Sequence, residues 1–266
     1  MNRIDLKSKE LKKRKKKAFI AFITAGDPDL RTTEQLVVAF EGAGVDIVEL
    51  GVPFSDPLAD GPTIQAASQR ALKKHVNLEN ILAAVKRIRR RSEIPIALMT
   101  YYNPVFHYGE ERFARKAKAC GVDGLIVPDL PPEEGRSLIR AARQNGLATV
   151  FFLAPTTTQR RMKHIVNAAT GFIYYVSLTG VTGARQELPA RLTRQIRLVK
   201  RLTRKPVCVG FGISTPAQVK MIAKVADGVI VGSAIVNVIA ENKGKKQLVA
   251  NVTRFVQKLS QNLRGK

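Results

Sequence analysis

Two carboxylates stand where a folded chain could use them to move protons. Glu49 lies inside an otherwise apolar run, DIVEL at 46–50. Side chains alternate along a strand, so Glu49 points away from the face shared by Val48 and Leu50. A carboxyl group buried in this way is desolvated, and its pKa rises. That suits a group that gives and takes a proton near neutral pH. The structural reading of the same residue is a buried Glu paired with an Arg or a backbone amide. The loop that follows carries Asp56 and Asp60 among Pro53, Pro57, Gly61 and Pro62. Pro62 is a favoured first residue of a helix. Asp60 therefore either caps that helix or hangs over the end of the strand. Two carboxylates in different environments permit separate acid and base roles.

A second theme is phosphate. The strings GFGIST at 210–215 and VGSA at 231–234 each end an apolar run. Small residues before a helix let backbone N–H groups approach an oxyanion, and the helix dipole favours negative charge. Gly212, Ile213, Gly232 and Ser233 are the candidate contacts. The string SLTGVTGAR at 177–185 reads as a lid, with Gly180 and Gly183 as pivots and Gly183 as a further phosphate contact. The short Gly-x-Gly lacks the third glycine of a dinucleotide fingerprint, and no GxxxxGK[ST] occurs. Cys120 and Cys208 form no CxxC, and His75, His107 and His164 form no HxxxH, so neither a zinc nor a dithiol site is expected. Two free, buried thiols in a reducing compartment are the expectation.

These residues need a scaffold that brings strand ends together. Eight short apolar runs qualify as strands: 19–24, 46–50, 94–100, 123–127, 148–153, 171–176, 206–209 and 227–231. Such runs suit parallel strands covered on both faces. Amphipathic stretches lie between them: 33–43, 81–91, 136–144, 191–205, 216–224, 234–240 and 246–262. In 191–205, Leu192, Ile196, Val199 and Leu202 recur at helical spacing. The strings GVDIVEL, GVDGLIV and VADGVIV repeat one shape, in which a helix ends, a turn carries Asp and a strand begins. Eight βα units in 266 residues predict a single (β/α)8 TIM barrel over 1–266, preceded by an extra basic N-terminal helix within 1–17. In such a barrel the active site lies at the C-terminal ends of the strands.

Charge sets a boundary on function. There are 45 Lys and Arg against 21 Asp and Glu, a net +24. Basic residues cluster at 12–17, 86–91, 191–205 and 243–246. Intact apolar stripes beside them read as solvated outer helix faces. Only 6% of residues are aromatic, and none interleaves the basic runs, so nucleic-acid binding is not expected. The run KKRKKK followed by AFIAFITAG imitates a signal peptide, but Asp5 and Glu10 interrupt the basic part and Asp27-Pro28 ends the apolar one. A basic helix before a buried strand, in a cytoplasmic protein without a membrane span, is the expectation.

The strings FITAGDPDL, VELGVPFSDPLADGPTIQ, TYYNPVF, VPDLPPEE, SLTGVTGAR, GFGIST and VGSAIV occur in an order that resembles the tryptophan synthase α subunit family over nearly the whole chain. The resemblance implies a TIM barrel and retro-aldol cleavage of indole-3-glycerol phosphate into indole and glyceraldehyde 3-phosphate. It implies no cofactor or metal in this subunit. Glu49 would be the general acid/base, Asp60 the partner of the indole N–H, and Tyr174 a neighbour of the glycerol-phosphate chain. Phe22, Met99, Tyr101, Ile126 and Phe152 would line an apolar slot for the ring. The resemblance also implies a pyridoxal-phosphate β subunit as partner in an α2β2 assembly. The Asp56 loop and the lid with Gly180 and Thr182 would face that partner. A different phosphosugar barrel, an isomerase or epimerase, shares the phosphate loops but not the paired Glu49 and Asp60. A basic scaffold for nucleic acid is the third alternative.

Overall fold

The computed structural model of the chain describes residues 1–177, 190–210 and 212–263. Eight strands form one closed barrel in chain order: β1 (Ala18–Thr24), β2 (Ile47–Gly51), β3 (Ile96–Met99), β4 (Gly124–Ile126), β5 (Ala148–Leu153), β6 (Ile173–Val176), β7 (Val207–Gly210) and β8 (Gly228–Val231). Each is parallel to its neighbours, and β8 closes onto β1 with Ile20 opposite Ile230. All eight expected runs are strands, most trimmed or shifted by one or two residues at an end.

Twelve α-helices are formed among the described residues. Those that follow the expected stretches are α1 (Arg3–Lys13), α2 (Leu30–Gly42), α3 (Pro62–Leu72), α4 (Leu78–Ile88), α7 (Arg136–Gln144), α9 (Ala190–Leu202), α10 (Pro216–Ala223), α11 (Ser233–Glu241) and α12 (Leu248–Ser260). Three more fill the remaining crossovers: α5 (Tyr102–Tyr108), α6 (Glu110–Cys120) and α8 (Gln159–Ala168). The opening helix is shorter than the basic segment. It stops at Lys13, and Lys15 already has φ +54°, so Lys15–Lys17 lead into β1 rather than extend the helix.

Alternation divides the strand side chains between two cores. Val48 and Leu50 pack outward with the helices, in one cluster with Leu36, Phe40 and Leu82. Ile20, Ile47, Ala97, Ile126, Val150, Phe172, Cys208 and Ile230 fill the barrel itself. The lower end is plugged by α1. Ile4 has no exposure and joins the inner cluster, and a side chain on Gly124 would collide with it at 2.8 Å.

The three-fold sequence repeat has a physical cause. In each copy the Asp before the strand accepts a hydrogen bond from a backbone N–H at the start of the preceding strand. Asp46 accepts from Phe19 at 2.8 Å, Asp123 from Ile96 at 3.0 Å and Asp227 from Val207 at 3.2 Å. Each carboxylate thus satisfies a donor at the barrel's lower rim that no neighbouring strand reaches. Asp123 also binds Arg89 at 2.8 Å and Arg3 at 3.2 Å, which ties α1 to the barrel base. Cys120 and Cys208 are both free and buried, as expected.

Candidate active site

The inward positions of β2 are Ile47, Glu49 and Gly51, so Glu49 projects into the barrel just below its mouth. Its register partners are Phe22 on β1 and Ala97 on β3. Glu49 has no exposure, and neither carboxylate oxygen has a hydrogen-bond partner. Desolvation alone therefore pushes its pKa up to about 8. Among the described residues no Arg and no backbone amide meets it, which speaks against a paired structural Glu.

Asp60 lies in the loop between β2 and α3. The N-cap of α3 is Gly61, and it uses no side-chain cap bond, so Asp60 is not the helix cap. Asp60 instead lines a cleft at the mouth with Phe22, Thr24, Gly51, Val52, Ile64, Ser68, Met99, Thr100, Tyr101 and Pro128. Burial raises its pKa, and a hydrogen bond from the Tyr101 hydroxyl opposes that rise. Tyr101 follows β3 and pins the same loop twice more. Its hydroxyl accepts the Ala59 N–H at 2.9 Å, and its ring stacks on Phe54 with centroids 5.2 Å apart. Burial first, and then the Asp60 and Asp129 carboxylates, push the Tyr101 hydroxyl up to about 12, while the bond accepted from Ala59 opposes the rise. Gln65 closes the loop from the helix side by donating to the Asp60 carbonyl at 2.8 Å.

Phe22 joins the acid to the anion loops. It is paired with Glu49 on one side. A side chain at Gly51 would strike its ring at 2.6 Å, and one at Gly232 would touch it at 3.4 Å. Glycine at 51 therefore leaves room for the ring at the cleft floor. Gly232 precedes the first turn of α11, where Ser233 is exposed. Gly212 turns at φ +69°, and Ile213 behind it is buried. Both segments leave the C-terminal ends of β7 and β8, the same end as Glu49 and Asp60.

The remaining slot candidates divide by depth. Met99 borders both the inner cluster and the cleft. Ile126 is wholly buried within the inner cluster. Phe152 packs on Tyr174 with centroids 4.7 Å apart. The Tyr174 hydroxyl sits where a side chain on Gly210 would fall, at 2.7 Å. Burial first, then the Glu49 charge, raises its pKa well above the ordinary value. Asp56 is exposed on the loop rim and accepts a hydrogen bond from Ser55. Gly180, Thr182 and Gly183 lie outside the described residues.

Several cleft residues carry no signal in the sequence: Thr24, Ile64, Ser68, Thr100 and Pro128. Each reads locally as plain core or loop. Only the rule that barrel sites form at the C-terminal ends of strands points to Thr24 and Thr100.

A closed parallel barrel with an unpaired carboxyl group inside and a second carboxylate at its mouth defines a barrel enzyme that works by proton transfer. A family model described as the tryptophan synthase alpha chain matches residues 8–264. The tryptophan synthase alpha chain of Geotalea daltonii is 52% identical over 246 residues, covering 92% of this chain and 93% of that one. That of Thermoanaerobacter sp. is 47% identical over 261 residues, covering 98% and 99%. The crystal structure of tryptophan synthase subunit alpha from Legionella pneumophila superposes with a TM-score of 0.92 at 39% identity, covering 99% of each chain. A structure of Mycobacterium tuberculosis tryptophan synthase gives 0.90 at 36% identity, covering 100% of this chain and 99% of that one. The chain belongs to the tryptophan synthase alpha chain family. It is a carbon–carbon lyase that cleaves indole-3-glycerol phosphate to indole and glyceraldehyde 3-phosphate in tryptophan biosynthesis. No described helix is long and apolar enough to cross a membrane.

Proposed function

We propose that Glu49 and Asp60 divide the chemistry of this cleavage between them. The substrate phosphate rests on the turn at Gly212 and Ile213 and on the first turn of α11 at Gly232 and Ser233, with Gly183 as a further contact. Backbone N–H groups and the helix dipole hold it there. The indole enters the slot bordered by Phe22, Met99, Tyr101, Ile126 and Phe152. Asp60 accepts the ring N–H and stabilises positive charge as the ring is protonated. Tyr101 keeps that carboxylate aimed. Glu49 delivers a proton to ring carbon 3 and takes one from the side-chain hydroxyl next to the scissile bond. The bond's electron pair returns to the ring, the hydroxyl carbon leaves as the aldehyde, and Glu49 regains its starting form. Tyr174 packs beside the glycerol-phosphate chain. Holding the phosphate fixes the reacting bond against Glu49.

The observation that supports this reading most is the state of Glu49. It is buried and unpaired, with a pKa near 8. A carboxyl group kept protonated near neutral pH is a proton donor, and one without partners has nothing structural to hold. We read the subunit as needing no cofactor or metal, and as cytoplasmic. Its partner is read as a pyridoxal-phosphate β subunit in an α2β2 assembly. Two exposed apolar side chains near the mouth support a docking face there: Leu58 at 88% exposure on the Asp60 loop and Phe106 at 64% on α5. Asp56 on the same loop would border that face. The test is to incubate the purified chain with indole-3-glycerol phosphate and follow indole, with and without a β subunit. Indole and glyceraldehyde 3-phosphate in equal amounts support the reading, and their absence in both arms overturns it.

A further inference from the structure

The cleft holds a polar atom that the chemistry above does not use. Thr24 ends β1 two residues beyond Phe22 on the same inward face, opposite Gly51. It is 2% exposed and borders the cleft together with Asp60. Its Oγ1 is buried without a hydrogen-bond partner. Among the described residues the buried hydroxyls of Tyr175 and Thr253 are also unpartnered, but neither borders the cleft, and several others are satisfied by a carbonyl close at hand. Thr100 donates to Tyr101 at 3.1 Å, Thr33 to Asp29 at 3.0 Å and Ser260 to Ala43 at 2.6 Å. A buried donor left unpaired is destabilising, whereas an apolar group of the same shape costs nothing. Valine would fit this strand end as well as threonine and would suit it better in the empty barrel. In this unpaired state Thr24 matches Glu49, which also faces inward near the mouth.

We propose that Thr24 is a positioning residue whose hydroxyl is held for the substrate complex. There it donates to the Asp60 carboxylate as that group takes the indole N–H, adding a second O–H donor to the one from Tyr101. The hydroxyl thus trades stability of the empty enzyme for affinity toward an aromatic ring with a polar N–H edge. The inference rests on the assignment of Asp60 to the ring nitrogen.

Thr24→Val and Thr24→Ser separate the possibilities. The measurements are the melting temperature of the ligand-free chain and the Kd for two probes, a non-cleavable indole-3-alkyl phosphate and glycerol 3-phosphate. For Thr24→Val we expect a melting temperature equal to or above that of the parent. We expect about tenfold weaker binding of the indole probe, the scale of one lost hydrogen bond, and no change for glycerol 3-phosphate. Thr24→Ser keeps the hydroxyl and stays within about threefold of the parent on the indole probe. Unchanged affinity of Thr24→Val for the indole probe overturns the proposal. So does a lowered melting temperature with equal loss on both probes, which marks a structural hydroxyl. If the parent chain itself neither binds the indole probe nor releases indole, the functional reading falls, and this proposal falls with it.

Discussion

At the scale of single residues, the site depends on what is withheld from two carboxylates. Glu49 has no hydrogen-bond partner among the described residues, and its pKa is up from 4.5 to about 8. A folded-state value above the unfolded one favours the protonated fold. The group's contribution to stability is therefore fully present below about pH 4.5 and is lost as pH rises through about 8. Glu49→Gln is neutral throughout, so its stability should fall less across that window than the parent's. The difference should be on the order of 1.4 kcal/mol per pH unit, read from urea unfolding at several pH values. Burial raises the Asp60 pKa as well, and the Tyr101 hydroxyl partly offsets that rise by supporting the charged form. For Asp60→Asn we expect kcat to fall about 10²–10³-fold, the range for losing one aimed electrostatic partner. Binding of glycerol 3-phosphate should change little, and steady-state kinetics with a competition assay checks both. Glu49 was legible in the sequence because a lone acid breaks an apolar strand. The loop acid was legible, but its role was not. Whether Asp60 caps α3 turns on a one-residue difference in where the helix begins, and Tyr101, its partner, lies 41 residues away in the chain.

At the scale of elements, each strand carries its chemistry upward and its structural polar groups downward. Glu49, Thr24 and Tyr101 lie toward the C-terminal ends of strands, whereas Asp46, Asp123 and Asp227 stand at the N-terminal ends. Asp123 is the most heavily used of these. It is wholly buried and holds Arg89, Arg3 and the Ile96 N–H. Asp123→Asn leaves two guanidinium groups short of their counter-charge, one of them nearly buried. We expect a loss of about 3–5 kcal/mol in unfolding free energy, typical of a broken buried pair. Below the melting range kcat should be preserved, because the site is at the opposite end. The strands were readable as apolar runs, and so was the Asp repeat, though its purpose was not, since the N–H it serves belongs to the strand before. Helices α5, α6 and α8 escaped notice for local reasons. The seven residues of α5 are too few to show a period, and Gly109 at φ +88° breaks the stretch before α6. In α8 the basic run QRRMKH hides an apolar stripe of only Met162, Ile165 and Val166.

At the scale of the whole molecule, the +24 charge surrounds a mouth that carries acidic and apolar groups. Asp56, Asp60, Leu58 and Phe106 all follow the C-terminal ends of β2 and β3. Helices run antiparallel to the strands they cover, so the basic last turns of α4 and α9 lie toward the base, which α1 itself plugs. The first turns of α2, α7, α8 and α9 carry Arg31, Arg136, Arg160 and Arg191 toward the mouth, so the proposed docking face sets the apolar Leu58 and Phe106 beside charge of both signs. Leu58→Asp places a charge on the face proposed to dock the β subunit. Its affinity for the β subunit should drop about tenfold or more, while indole release by the lone chain stays within about twofold of the parent. Analytical ultracentrifugation with the β subunit, alongside the uncoupled assay, measures both. The barrel and its closure were legible from strand count and length alone. Which charges lie at the mouth was not, because that emerges only once the helix ends are placed.

The account centres on Glu49 as the group that moves the proton. The direct test is indole release from indole-3-glycerol phosphate by Glu49→Gln, with affinity for a non-cleavable indole-3-alkyl phosphate measured on the same preparation. The account predicts undetectable indole with affinity within about threefold of the parent. Indole release near the parent rate would contradict it.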